Sequence, residues 1–265
     1  MRKIFLVCAA LAGLSAARAN AADIPAYPSL PPPPPVIGIA DCWTGFYAGG
    51  SLGYHGGQDD LTTSANWNGW GPLGAAYIDS QSATFLAPRG TVVGGQIGFN
   101  WQVNNVVFGW ETDGQWMGGA ITRQYTYPVP IFGFPGSAMS NTSAANVVAT
   151  LRPRLGIAFD NLLVYGTGGL AVGWFSNTDS FSLPGAAVTT QPSTTTRLGW
   201  TGGGGLEWKF LPAWSVKAEY LYLHMQNYNV TIPDIAGIPF TDIVVHHNYT
   251  DNLFRLGVNW HVSPW

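Results

Sequence analysis

The sequence predicts an all-β fold: an eight-stranded antiparallel up-and-down transmembrane β-barrel. Three observations predict it. Eight segments alternate apolar and polar side chains with a period of two, the mark of strands with one apolar face. The connections between them alternate short and long, as periplasmic turns and external loops do in a membrane barrel. Charge is scarce: Asp, Glu, Lys and Arg make up 9% of the residues, against 14% aromatics, 12 tryptophans and 34 glycines. A soluble domain averages about 25% charged residues. After the N-terminal segment no uncharged apolar run reaches roughly 18 residues, the lower limit for a membrane helix. Only helices and closed barrels satisfy every backbone group in lipid.

Residues 1–21 read as a secretory signal, residues 22–42 as a proline-rich periplasmic leader, and residues 43–265 as the barrel. Arg2 and Lys3 form the basic start of the signal, Ile4 to Leu14 its apolar centre, and Ala19-Asn20-Ala21 a small-residue cleavage site. Cleavage after Ala19 fits nearly as well as cleavage after Ala21. Cys8 leaves with this segment and Cys42 remains alone, which excludes an intramolecular disulfide. The five prolines from Pro31 to Pro35 favour an extended polyproline II spacer. The formal charge of −3 becomes more negative once Arg2, Lys3 and Arg18 are removed. With no basic patch, a nucleic-acid partner is excluded.

The strands follow in order. Residues 44–55 set Phe46, Ala48, Leu52 and Tyr54 against Tyr47, Gly49, Ser51 and Gly53. Residues 91–102 set Val93, Ile97, Phe99 and Trp101 against Gly94, Gln96, Gly98 and Asn100. Residues 106–116 oppose Val106, Phe108, Trp110 and Trp116 to Glu111, Asp113 and Gln115, and residues 146–159 oppose Leu151, Leu155, Ile157 and Phe159 to Thr150, Arg152 and Arg154. Residues 162–174 carry Leu162, Val164, Leu170, Val172 and Trp174 on one face. Residues 196–210 carry Leu198, Trp200, Leu206, Trp208 and Phe210, against Arg197, Thr201, Glu207 and Lys209. Residues 214–225 place Val216, Ala218, Tyr220 and Tyr222 against Ser215, Lys217 and Glu219. The last, 251–262, alternates Phe254, Leu256, Val258, Trp260 and Val262 with Arg255, Gly257, Asn259 and His261. Pro153 removes one ladder donor and predicts a bulge or shifted register. The glycines from Gly202 to Gly205 pin their strand weakly.

Short connections fall at 103–105, 160–161 and 211–213, and long ones at 56–90, 117–145, 175–195 and 226–250. A soluble barrel has no reason to sort its loops by end. Strands of about 10 residues, rising roughly 3.3 Å each and tilted near 45°, give the ~25 Å height of an outer-membrane apolar band. Trp43, Trp101, Trp208, Trp214 and Trp260 are expected as one interfacial belt, and Trp116, Trp174, Trp200, Tyr54 and Tyr222 as the other.

With the apolar faces toward lipid, the opposite faces meet inside. Glu111, Asp113, Glu207 and Glu219 are then expected to face Arg152, Arg154, Lys209, Lys217 and Arg255 as a lumen charge network. A lone buried charge is costly, whereas a balanced set pairs and hydrogen-bonds. Eight strands leave an interior just wide enough for side chains to fill, so the network reads as structural. The inward glycines leave space, and this keeps a narrow channel for ions or small solutes as the alternative.

The four histidines His55, His224, His246 and His247 are expected on one external sector, because the first strand pairs with the last at closure. Imidazoles ligate iron and other transition metals, so surface hemin or metal binding is weighed against polar residues at a wet rim, and the rim is favoured. Asp59 and Asp60 read as solvated loop carboxylates rather than a calcium site. Gly202 to Gly205 lack the lysine and helix of a phosphate loop. No Ser-His-Asp arrangement is assignable from spacing. Neither an enzyme nor a bound cofactor is expected.

The runs Trp43-Thr44-Gly45-Phe46-Tyr47-Ala48-Gly49-Gly50, Tyr165-Gly166-Thr167-Gly168-Gly169-Leu170-Ala171, Glu219-Tyr220-Leu221-Tyr222 and Arg255-Leu256-Gly257-Val258-Asn259-Trp260 resemble the opacity-protein and OmpA-like β-barrel family of small Gram-negative outer-membrane barrels. The resemblance spans Trp43 to Val262. It implies an outer-membrane barrel acting as an envelope structural protein, adhesin or surface antigen, and in some members as a hemin binder. It also implies an assembly signal for the barrel-insertion machinery at Arg255, Gly257, Trp260 and Val262. Such chains commonly end on an aromatic where this one has Val262 and runs on to Trp265. The expected partners are therefore outer-membrane lipid, the insertion machinery and a host or surface ligand of the loops; no feature specifies an oligomeric state. No peptidoglycan-binding domain is expected.

Overall fold

The computed structural model describes residues 43–262. The expected signal, leader, Cys42 and the tail 263–265 lie outside them. Eight strands make the wall: β1 Gly45–Ala65, β2 Arg89–Val103, β3 Val106–Met117, β4 Ala138–Phe159, β5 Leu162–Ser182, β6 Thr189–Leu211, β7 Trp214–Met225 and β8 Ile243–Val262. Each pairs antiparallel with its neighbours in sequence. The ring then closes by β1 on β8, unbroken from Phe46↔Val262 to Ala65↔Ile243. Closure leaves no open sheet edge in lipid.

Outward side chains divide each long strand into two zones. Along β8, Val262, Trp260, Val258, Leu256 and Phe254 are exposed apolar groups. The next outward positions are Asn252, Thr250, Asn248 and His246. On β1 the same change falls between Tyr54 and Gln58. The apolar zone is the lipid band, and the polar zone is a collar standing outside it. Trp101, Trp208, Trp214 and Trp260 lie exposed near the short turns, and Trp116, Trp174 and Trp200 near the collar. Trp43 departs from the expected belt: it is fully buried. It plugs the short-turn end of the lumen, with its indole N–H on the Asp160 carbonyl at 3.2 Å.

The strands are longer than the expected ones wherever they rise into the collar, and the segments expected as loops carry structure. A helix, α1, runs over Trp67–Ser82, with the Asn66 side chain capping its first turn. Its path breaks at Gly71 (φ 69°), followed by Pro72. Short strands add at 84–86 on β1, 120–126 on β4 and 228–232 on β8. No helix among the described residues is long and apolar enough to cross a membrane.

Pro153 does not shift the register. The β4–β5 ladder omits Arg152 and Pro153 and resumes in register at Arg154↔Thr167, where the Thr167 hydroxyl donates to the Pro153 carbonyl at 2.8 Å. The register shift falls instead between Ala145 and Val147. The glycines 202–205 pair in constant register with both neighbours.

A charge placed on the lipid band is expensive, and one in the collar is not. Leu256→Arg is expected to cost about 2–4 kcal/mol of unfolding stability in lipid vesicles, and Asn252→Arg about 0–1 kcal/mol. Equal costs in denaturant titrations would move the band's boundary.

Candidate functional site

The nine lumen charges lie on inward positions of β3, β4, β6, β7 and β8 and are buried. Arg152 stands at their centre. Its guanidinium reaches Glu111 at 2.7 Å, Asp113 at 2.6 Å and Glu219 at 3.3 Å. Arg255 donates to Glu219 at 2.6 Å and to Asp113 at 3.0 Å. Lys217 crosses from β7 to Glu111 on β3 at 2.8 Å. Arg154 pairs with Glu207 at 2.7 Å, and Lys209 lies over the Trp43 ring at 4.9 Å. Glu111 is directly opposite Arg152 in the ladder, Glu219 opposite Arg255, and Glu207 opposite Lys217. The register thus makes part of the network, and contacts across the lumen complete it.

Neutral groups finish the solvation. The Tyr47 hydroxyl donates to Glu111 and the Tyr165 hydroxyl to Glu219, each at 2.8 Å. Ser215 and Asn259 donate to Glu207 at 2.6 and 2.8 Å. Charge-assisted bonds of this length are among the stronger ones proteins make. Sequence reasoning missed these partners, because each sits on a face whose tenant is decided across the lumen.

Neighbouring aromatic rings occupy the space beside two of the inward glycines. A Cβ at Gly98 would lie 2.3 Å from the Tyr47 ring, and one at Gly205 would lie 2.7 Å from the Tyr165 hydroxyl. These glycines are where neighbouring rings fold over the wall. Below the network Trp43, Val107, Ala158 and Leu163 form an apolar plug. Above it Phe175, Leu221, Leu223, Met225 and Leu253 form an apolar belt.

The four histidines lie on β1, β7 and β8, adjacent in the ring, but they do not converge. His55 and His247 point inward and are buried, whereas His224 and His246 occupy outward positions. Neighbours on a strand face opposite sides of the wall, so His246 and His247 are separated by it. Neither lies in a loop: both belong to β8. His55 bridges Asp251 and the Gly118 carbonyl, both at 2.8 Å. His246 meets Ser64 and Asn229, and His224 tilts on Trp200. Among the described residues no group of three or more His, Cys, Asp or Glu is placed to hold a metal ion.

Asp59 and Asp60 likewise part across the wall of β1. Asp60 is exposed beside Gln58, whereas Asp59 is buried against His247 at 2.9 Å. The other His247 nitrogen faces Asp179 at 3.3 Å, and Tyr228 stacks on the ring at 4.5 Å. His247 therefore ties β1, β5 and β8 together at collar height. The four residues of the expected assembly signal divide by face: Arg255 and Gly257 point inward, and Trp260 and Val262 outward.

A closed wall, a lipid band and a filled interior define an eight-stranded outer-membrane barrel, and its environment is outer-membrane lipid. The chain belongs to the outer membrane protein beta-barrel domain family, which matches residues 6–261. It is 34% identical over 233 residues to the 31 kDa outer-membrane immunogenic protein of Brucella melitensis, covering 86% of this chain and 90% of that one. The 22 kDa outer membrane protein of Rhizobium leguminosarum bv. viciae is 25% identical over 224 residues, covering 83% of this chain and 78% of the relative. Among solved structures, the outer membrane protein OprG from Pseudomonas aeruginosa aligns over 83% of this chain and 97% of its own, with 10% identity and a TM-score of 0.44.

Two predictions follow from these contacts. Arg152→Met removes a cation shared by three carboxylates and is expected to cost about 3–5 kcal/mol of unfolding stability, the range for breaking a buried pair by removing one partner. A loss of unfolding free energy under about 1 kcal/mol in denaturant titrations would show that Arg255 and Lys217 suffice. Burial by itself lowers the pKa of His247, but hydrogen bonds and charge from Asp179 and Asp59 outweigh it and raise the value above 6.5. The stability His247 contributes is complete below pH 6.5 and is lost as pH climbs through the raised folded value. The wild-type melting temperature is expected to fall over that window relative to His247→Gln, whose profile lacks this slope.

Proposed function

We propose that this protein is a closed, non-enzymatic structural barrel of the outer membrane that presents its four packed loops as a surface-interaction and antigenic platform. The observation that carries this reading is the filled lumen. The Arg152 network, the Trp43 plug below it and the Leu221–Leu253 belt above it fill successive levels of the interior, which supports a closed barrel that meets other molecules at the outside of its cap. The immunogenic Brucella relatives support surface presentation. On this reading the N-terminal segment directs export, the last strand carries the signal read by the insertion machinery, and a host or surface ligand meets the loops.

The test pairs two measurements on refolded, heat-modifiable protein and on intact cells. An antibody to the loop tip 183–188 is expected to label intact cells, and planar-bilayer recordings are expected to give no steady conductance. Reproducible conductance steps would put the narrow channel in first place. Unlabelled cells would remove the surface reading.

A further inference from the structure

Beyond the collar the outward chemistry changes once more. The loop tips 67–76, 128–136, 183–188 and 233–240 hold a single charge, Asp234, whose side chain accepts the Phe240 N–H at 3.1 Å. Yet Trp67, Leu73, Phe132, Phe134, Val188 and Phe240 are exposed there, Leu73 by 87%. Loop tips are ordinarily polar, so a clustered set of exposed large apolar groups marks a contact surface.

The tips are held as one body. The Trp70 indole N–H donates to the Thr241 carbonyl at 3.0 Å, and the Trp70 ring stacks on Phe132 at 4.9 Å. The Ala236 N–H donates to the Thr189 hydroxyl at 3.0 Å. Gly69 lies so close to Phe240 that a Cβ there would meet its carbonyl oxygen. Beneath them Ile78, Tyr127, Phe181, Ile235 and Val245 share one buried core. The exposed apolar groups are therefore carried on a packed base.

We propose that these four tips form an apolar crown that inserts into the interface of a second lipid bilayer, a proposal that rests on the surface-presentation reading. Three observations favour lipid over a protein. The crown repeats the residue types of the barrel's own lipid band: Trp, Phe, Leu and Val. Its tips carry only two polar side chains, Asn68 and Asp234, few for a protein interface with its usual hydrogen bonds, whereas a zwitterionic bilayer interface accepts separate aromatic and aliphatic projections without matched polar partners. The protein's own membrane is out of reach, because the 11 residues from Tyr54 to Ala65 lift the crown about 25 Å clear of the band.

The test uses full-length protein held in amphipol and co-floated with phosphatidylcholine vesicles. Binding is expected to persist at about 1 M salt, where the Debye length is ~3 Å. It should fall at least about tenfold in W67S/L73S/V188S/F240S that retains its heat-modifiable form. Leu73→Ser alone, which removes a side chain standing in solvent, should lose about threefold. Equal flotation of wild type and both variants, no flotation, or binding that needs anionic lipid would overturn the proposal. So would crown-dependent self-association without vesicles, which would make a second copy the occupant. Intact cells that label at 183–188 while the protein fails to float would sink this inference alone; unlabelled cells would sink the surface reading beneath it.

Discussion

Closure of β1 on β8 is the constraint from which the rest of the molecule follows. In hydrocarbon an unpaired backbone group costs several kcal/mol, so the first and last strands must meet along their whole length, as they do from Phe46↔Val262 to Ala65↔Ile243. Eight closed strands enclose only a narrow interior. A charge placed there cannot escape to bulk water, and Arg152 is accordingly met by three carboxylates from β3 and β7. The same closure sets Gly53 opposite Arg255, whose other ladder partner, on β7, is Glu219.

Along β8 the inward side chains record how the interior is stratified. From the short-turn end they read His261, Asn259, Gly257, Arg255, Leu253, Asp251, Tyr249, His247, Val245 and Ile243. Arg255 lies in the charge network and Leu253 in the apolar belt; His247 holds the upper polar layer, and Val245 and Ile243 the core of the cap. Polar layers alternate with apolar ones, so an ion crossing the barrel would meet both a charged lattice and apolar belts. Opening such a path means breaking buried ion pairs, each worth several kcal/mol once its partner is lost. Any change that opened such a path would therefore also cost the barrel stability.

Much of this was legible in the sequence, and the parts that were not have physical causes. The band segments carry a strict apolar period of two, and residues 214–225 were delimited to the residue. Above the band that signal disappears: Gln58, Asp60, Thr62 and Ser64 face out while Gly57, Asp59, Leu61 and Thr63 face in, so neither face is apolar throughout. The strand continues, and its histidines and aspartates read as loop residues. Helix α1 was invisible because Gly69, Gly71, Pro72 and Gly74 are turn residues; what holds its first half is the stacking of Trp70 on Phe132 and its bond to Thr241. The inward glycines misled for the same kind of reason. Spacing along one strand reports an empty position, and only the register reveals that Tyr47 or Tyr165 fills it.

Two apolar surfaces separated by a polar collar give the chain an unusual division of labour. The lower surface exists because the wall must be solvated by lipid, and it needs no packing partner of its own. The crown has no such obligation, since water surrounds the collar beneath it and Ser, Thr or Asn in place of Trp67, Leu73 or Phe240 would cost the fold little. Trp70 and Phe181 already supply the core that holds the loops together. Leu73, Phe240 and Trp67 add nothing to that core, being exposed. Apolar area that contributes little to stability and raises the risk of aggregation is explained by what it contacts, and the collar's height places that contact away from the membrane that carries the protein.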